Sequence, residues 1–552
     1  MHLNYFKTLG FALQQPFGFT LLIFSFLFTP YSLSAQNWEN LIEYGNNLKI
    51  NDIQSDDFGY VYVEVNNNLV GNDLLGLIIP RGHGVLTFNE QKELVAATMI
   101  EGITDINWQV DKKQNLFVTG RFLNTIELGD TSLTPTDDQD IFMAKYDCEG
   151  QLNWVKQFDG NSQLFRPNIL VDQQENVYLT GTFTEAFTVD STTLEPVPNS
   201  DKEVYLLKIN PDLELEWIRD LRAYSNYDIA MGPDDHLHIL CSKKRNAVIS
   251  LPGQTEAGLY KIAPDGSIVW LTAFRPLGVI ECSGLVVDRD GAAHLCGSFT
   301  GGLRFPDGSE FDVIDFYDNF IAKVDRNGEF IWASQIGGQG DEDEFAITVD
   351  PQKNVYMASD FTTEVQFNGD TYPALGGIDI FVVQLDSNGQ HQNILVTGSD
   401  GTDNPMFGMV SDGCRVYVSG LAAEGTAFGD QTMSMRSDYV VGMFFPGMPE
   451  DCSTLPEVNC GQIITSTNAS ISESSLQIFP NPSHGAIQIQ VPNTQESYRY
   501  FLYDNTGRLI QSDWLPQGDR PTLEFDQAAG FYLLEIVGTT SQNRYLEKII
   551  FQ

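Results

Sequence analysis

Short apolar runs separated by polar turns recur in fixed order along most of this chain. VDKKQNLFVTGRF (110–122), VDQQENVYLTGTF (171–183), VDRDGAAHLCGSF (287–299) and VDPQKNVYMASDF (349–361) each join an Asp/Asn/Gly-rich turn to an apolar run. That pattern predicts a turn followed by a strand. IQSDDFGYVYVEV (53–65), MGPDDHLHILCSK (231–243) and VSDGCRVYVSGLA (410–422) are weaker copies. A second kind of run (DIFMAKYD, EVYLLKIN, DNFIAKVD, DIFVVQLD) leads into an Asp-x-x-Gly turn and then a strand bearing Trp. The Trp slot holds Trp154, Trp217, Trp270 and Trp332, with Ala96 and Asn393 in eroded copies. Trp38 stands in the same frame without a preceding turn. The repeat returns about every 60 residues, and a unit of four short strands cannot bury its own apolar face, which is the logic of a propeller blade.

The expected fold is therefore all-β, a seven-bladed β-propeller over residues 36–446. The chain enters on a Trp strand that lacks a turn and leaves after DYVVGMFF (438–445) without a Trp strand. Pairing these two ends would complete the last blade and remove two open edges. The recurring Trp side chains (38, 154, 217, 270, 332) are expected to be structural, with the last four in one buried slot between blades. Asp147, Asp265, Asp325 and Asp386 are expected to cap backbone amides at one turn position.

The first 35 residues carry one Lys, no acid, the apolar run FGFTLLIFSFLF and small residues up to Ala35. This reads as a signal peptide spanning 1–35, and no other stretch is long and apolar enough for a membrane span. The formal charge is −43, nearly all of it within 36–475. A field of that sign disfavours nucleic acid and anionic membranes as partners. Loop carboxylates such as those in GGQGDEDEF (337–345) would suit Ca²⁺, but no stretch matches an EF-hand loop, so no cofactor or metal is expected.

Of seven Cys, none forms a C-x-x-C pair, which argues against structural zinc. Cys452 and Cys460 flank a short loop where an exported chain permits a disulfide. His238 and His294 occupy the slot filled elsewhere by Phe117, Tyr178, Tyr356 and Tyr417, and read as packing residues. Gly-x-Ser-x-Gly and His-Glu-x-x-His are absent, so no catalytic residue is nominated.

After residue 446 the texture changes to a Pro/Ser/Thr-rich linker (447–475), then to a strand-rich unit (476–552) that reads as a small antiparallel β-sandwich. That unit carries Phe479-Pro480-Asn481-Pro482 with Gly485, Leu502-Tyr503-Asp504 with Gly507-Arg508, Gly530-Phe531-Tyr532-Leu533, and a final Glu547-Lys548-Ile549-Ile550. These ordered motifs resemble the C-terminal sorting domain of the type IX secretion system of certain Gram-negative bacteria. The resemblance implies that the type IX machinery is a partner, and that the chain passes through the periplasm and outer membrane to be secreted or held at the cell surface. The ring phrases are similar to the bacterial SBBP β-propeller repeat, which implies a fold and no activity. The expected function is a non-enzymatic exported binding or scaffold module for an unknown protein or glycan ligand. The alternative is a carbohydrate-active enzyme or lectin-like glycan binder on the propeller face.

Overall fold

The computed structural model describes residues 38–551 apart from short segments, the longest being 44–47, 68–71, 90–93, 159–164, 197–202, 245–254, 341–344, 444–463, 467–476, 480–485, 491–496, 504–508, 516–519, 526–529 and 539–543. The signal-peptide segment, Cys452 and Cys460, Pro480 to Gly485, and Asp504, Gly507 and Arg508 lie outside the described residues. The described elements are strands and turns, and among them no helix is long and apolar enough to cross a membrane.

The chain is all-β and builds a β-propeller. Six blades are antiparallel four-strand meanders taken in chain order. Their innermost strands are Leu48–Ser55, Ile103–Val110, Phe165–Val171, Ser225–Met231, Ile280–Val287 and Phe345–Val349. A further sheet is composite. Asn404–Ser411, Val416–Ala422 and Ser437–Met443 are joined on their outer edge by Trp38–Glu43 from the opposite end of the chain. Trp38 pairs with Met443 and Glu43 with Tyr439. The composite sheet abuts the first blade, where Ser55 Oγ donates to Ser411 O at 3.0 Å.

The alternation in the sequence explains the packing. Second and third strands such as Val177–Phe183 and Glu203–Ile209 are buried along their whole length, because both faces meet neighbouring sheets. Outer strands such as Leu152–Phe158 stay half-exposed. Apolar clusters span successive blades; Phe117 and Ile141 of the second share one with Val177 and Tyr205 of the third.

The terminal region forms two antiparallel sheets. One contains Gln477–Phe479, Ala486–Gln490 and Thr522–Glu524; the other contains Tyr498–Tyr503, Leu509–Trp514, Gly530–Gly538 and Arg544–Phe551. Ile487 and Leu523 from the first share a core with Leu502, Leu534, Ile536 and Ile549 from the second. Of the motif residues, Tyr503, Gly530, Tyr532 and Lys548 lie on the strands of the second sheet.

Candidate binding channel and blade seams

In five blades the Asp of the first repeated phrase anchors the inner hairpin. Asp172 Oδ1 accepts from the Asn176 amide at 2.9 Å, and Asp111, Asp288 and Asp350 accept the equivalent amide at 2.8–3.0 Å. The second carboxylate oxygen accepts a hydrogen bond from the ring residue six positions on: Tyr62, Tyr178 and Tyr356 donate Oη–H to Asp56, Asp172 and Asp350. In the fifth blade His294 does the same work. Burial holds the imidazole neutral, below its ordinary pKa, and Nε2 lies 3.1 Å from Asp288 Oδ2. In the fourth blade the anchor is Gly232, and both ring nitrogens of buried His238 lack a partner. Burial pushes His238 down to about 4. Both His side chains are thus packing residues set against Trp270 and Trp332, at ring separations of 5.6 and 6.1 Å.

The four recurring Trp residues occupy equivalent positions. Each ring lies against the aromatic slot of its own blade, with Trp154 and Trp217 facing Phe117 and Tyr178. Trp217, Trp270 and Trp332 also reach the turn of the next blade, where their indole N–H groups donate to Pro264, Arg326 and Ser387 carbonyls at 3.0–3.2 Å. The expected burial is corrected to half-burial: the Trp stands on the outermost strand, and the neighbouring turn covers it from one side only. For Trp38 the strand pairing alone is described.

The capping residues are also corrected at one position. Asp147, Asp325 and Asp386 accept the amide four residues on, whereas Asp265 accepts Ser267 N two residues on. Ala263 takes the capping position in that turn, closed by Gly266 N to Ala263 O.

Two cavities of about 810 and 880 Å³ are neighbours along the inner strands, sharing Gln109, Met231, Val287, Thr348 and Val410 in their walls. The smaller cavity carries Lys112, Lys113 and Arg289 beside Asp111, Asp172 and Glu175. The larger cavity has no Lys or Arg among its lining residues. Its wall contains one equivalent position from each inner strand: Asp52, Asn107, Asn168, Asp228, Gly284, Ala346 and Gly408. Strand register proves the equivalence, because Asp52 pairs with Glu64 where Asn168 pairs with Thr180 and Gly284 with Cys296. Carboxyl and carboxamide groups therefore occupy one side of the wall and small residues the other.

Several of these polar groups span blade seams. Asn107 Oδ1 accepts Ile169 N at 3.0 Å, and Asp228 Oδ2 accepts Leu285 N at 2.8 Å, each from the following blade. Glu64 Oε2 accepts the indole N–H of Trp108 at 3.1 Å. Enclosure in the channel raises the carboxyl pKa values, to about 7 for Asp52 and Asp228 and about 8 for Glu64; the charge of Asp52 adds to the shift of the latter two. Sequence reasoning missed these residues, although for the inner strands a signal existed: Asp52, Asn107, Asn168 and Asp228 each stand four residues before the phrase Asp or its Gly232 counterpart. Among the described residues no group of three or more His, Cys, Asp or Glu side chains is placed to hold a metal ion. Cys148, Cys241, Cys282 and Cys296 are free thiols.

Residues 477–552 match the family described as the secretion system C-terminal sorting domain. This domain implies export by the type IX system, to the medium or the outer cell surface. The chain is 28% identical over 100 residues to an uncharacterised WD repeat-containing protein of Acanthamoeba polyphaga mimivirus, covering 16% of this chain and 7% of that one. A puromycin hydrolase structure overlaps at TM-score 0.42 and 10% identity, covering 82% of this chain and 61% of that one. The Dos1 propeller overlaps at TM-score 0.39 and 6% identity, covering 74% and 94%. Overlaps of this size assign neither an activity nor a ligand.

Proposed function

We propose that the protein is an exported, non-enzymatic binding module in which a closed propeller offers an acidic channel to a cationic peptide segment. In this reading the composite sheet is the seventh blade, the repeat is of the SBBP type, and the terminal sheets form the sandwich of a sorting domain that delivers the ring. A signal peptide over 1–35 would start that route.

The observation that carries the ligand class is the wall of the larger cavity. Asp52, Glu64 and Asp228 line it together with Asn107 and Asn168, without any lining Lys or Arg; Asp105, also in the wall, is already paired with Arg121. A Lys or Arg side chain supplies the positive charge and several N–H donors that such a wall is short of. A bare metal ion fits less well, since among the described residues no three of the acids are gathered in one coordination sphere.

The test is to screen the secreted full-length protein against peptides differing only in Lys and Arg content, beside neutral glycans. Cationic peptides should be retained, and an Asp52→Asn/Asp228→Asn variant should lose them. Retention of neutral glycans with no preference among the peptides would overturn the reading in favour of a glycan binder.

A further inference from the structure

An outer strand of a propeller blade has an unpaired edge, and proteins protect such edges with charge, twist or cover. Four of the outer strands here use charge: Trp38–Glu43 carries Glu39 and Glu43, and three others do likewise. Leu152–Phe158 carries Lys156, Leu215–Asp220 carries Glu216, Arg219 and Asp220, and Ile268–Pro276 carries Arg275. The outer strand of the first blade, Leu94–Ile100, reads LVAATMI. It has no charged residue, and Ala96 replaces the Trp that projects from four other blades. Left bare, this edge would have neither charge nor a Trp side chain; Phe330–Ile336, also uncharged, keeps Trp332.

It is not bare. Ile464–Ser466, from within the linker, adds to that edge as a parallel strand, with Ile464 opposite Ala96, Thr465 opposite Ala97 and Ser466 opposite Thr98. Burial agrees. Leu94, Ala97, Thr98, Met99 and Ile100 are buried, whereas the strand bearing Trp217 shows only Ile218 buried. The missing Trp side chain is consistent with this, since Ala96 leaves room for a backbone to approach. The chain also has the reach. The 21 residues from Met443 to Ile464 span up to about 70 Å when extended, and the composite sheet that ends at Met443 abuts the first blade.

We propose that the edge of Leu94–Ile100 is a docking surface for the chain's own linker, and that Ile464–Ser466 is a strap fastening the sorting domain to the ring by strand addition. Main-chain hydrogen bonds supply the attraction, and the small side chains at Ala96 and Ala97 supply the selectivity for this edge. The linker is thus not the contact-free spacer that its composition suggests. A ring that loses the strap would expose an uncharged strand edge.

Amide hydrogen exchange on the full-length chain tests this. The outward-facing amides within 96–98 should be protected, and Thr465→Pro should speed their exchange at least about tenfold while exchange in Val61–Asn67 stays unchanged. Ser470→Pro, beyond the paired residues, should leave the 96–98 amides as slow as in the parent chain. Equal exchange at 96–98 in the parent and Thr465→Pro chains would overturn the strap. Protection that rises with protein concentration would also overturn it, by assigning the added strand to a second copy.

Discussion

The indole of Trp217 lies directly on Gly266 of the next blade. A Cβ at Gly266 would come within 2.9 Å of the indole Cδ2, and the backbone there has φ +82°. The indole N–H donates to Pro264 O in the same turn at 3.0 Å. One tight turn thus forms both the floor and the acceptor for a Trp carried by its neighbour. The same relation joins Trp270 to Gly328 and Trp332 to Gly389.

Gly266→Ala should therefore destabilise the ring by about 1–3 kcal/mol, since it meets both a left-handed backbone and an occupied surface. Gly308→Ala is the control. Gly308 also has positive φ but nothing within 4 Å of its would-be Cβ, so the smaller backbone cost alone should appear. Denaturant midpoints of the two variants decide between them.

The two buried His residues should respond in opposite directions to Phe. His238→Phe removes two ring nitrogens that have no partner, so stability should rise by about 1 kcal/mol. His294→Phe deprives Asp288 Oδ2 of its imidazole donor inside the core, leaving only Lys323 Nζ at 3.5 Å, and should cost about 1–3 kcal/mol. Thermal melts of both variants at one pH check the signs.

The contribution of Asp52, Glu64 and Asp228 to stability should fall as pH rises from about 4 to about 8, against an opposite contribution from buried His238, which is neutral in the folded chain and protonated in the unfolded chain below about 6.5. The carboxyls of Asp52 and Asp228 titrate at about 7 in the folded chain against an ordinary value of 3.8, and Glu64 at about 8 against 4.5. Between those limits the folded state holds protons that the unfolded chain has released, so each rise in pH favours unfolding. Below pH 4 both states are protonated at these groups and their contribution is constant. Asp228→Asn should flatten the slope, by on the order of 4 kcal/mol across the window. Binding of a cationic peptide should strengthen over the same rise, as the channel gains charge.

The N-terminal strand should be required by the whole ring. Trp38–Glu43 forms the outer edge of the composite sheet, so deleting residues 36–48 leaves Ser437–Met443 with an open edge. Melting should become lower and broader. An unchanged melting temperature and cooperativity would contradict closure by this strand.

Much of this was legible in the sequence because the repeat reports strand order directly. Turn residues such as Asp172 and Asp325 and ring residues such as Tyr178 and Tyr356 recur at fixed offsets, which places the strands. Other features depend on what lies across a seam. The half-exposure of Trp154 and its counterparts follows from their place on the outermost strand. The displacement of Asp265 was itself legible, since it stands five residues before Trp270 where Asp147 and Asp325 stand seven before Trp154 and Trp332. Asp52, Asn107, Asn168 and Asp228 escaped notice because irregular pairing in the inner strands, as at Ile50/Asp52 and Asn226/Asp228, breaks the alternation that would reveal a common face. The strap was hidden in a segment whose composition signals only a linker.

The most direct test of the account is to express residues 1–475 beside the full-length chain in a host with the type IX machinery, and to fractionate the cells. Residues 477–552 match the sorting domain, so the truncated protein should accumulate in the periplasm with a protease-resistant ring while the full chain reaches the surface or medium. Equal recovery of both chains outside the cell would contradict the sorting role. A periplasmic but protease-sensitive product would contradict a ring that folds on its own core.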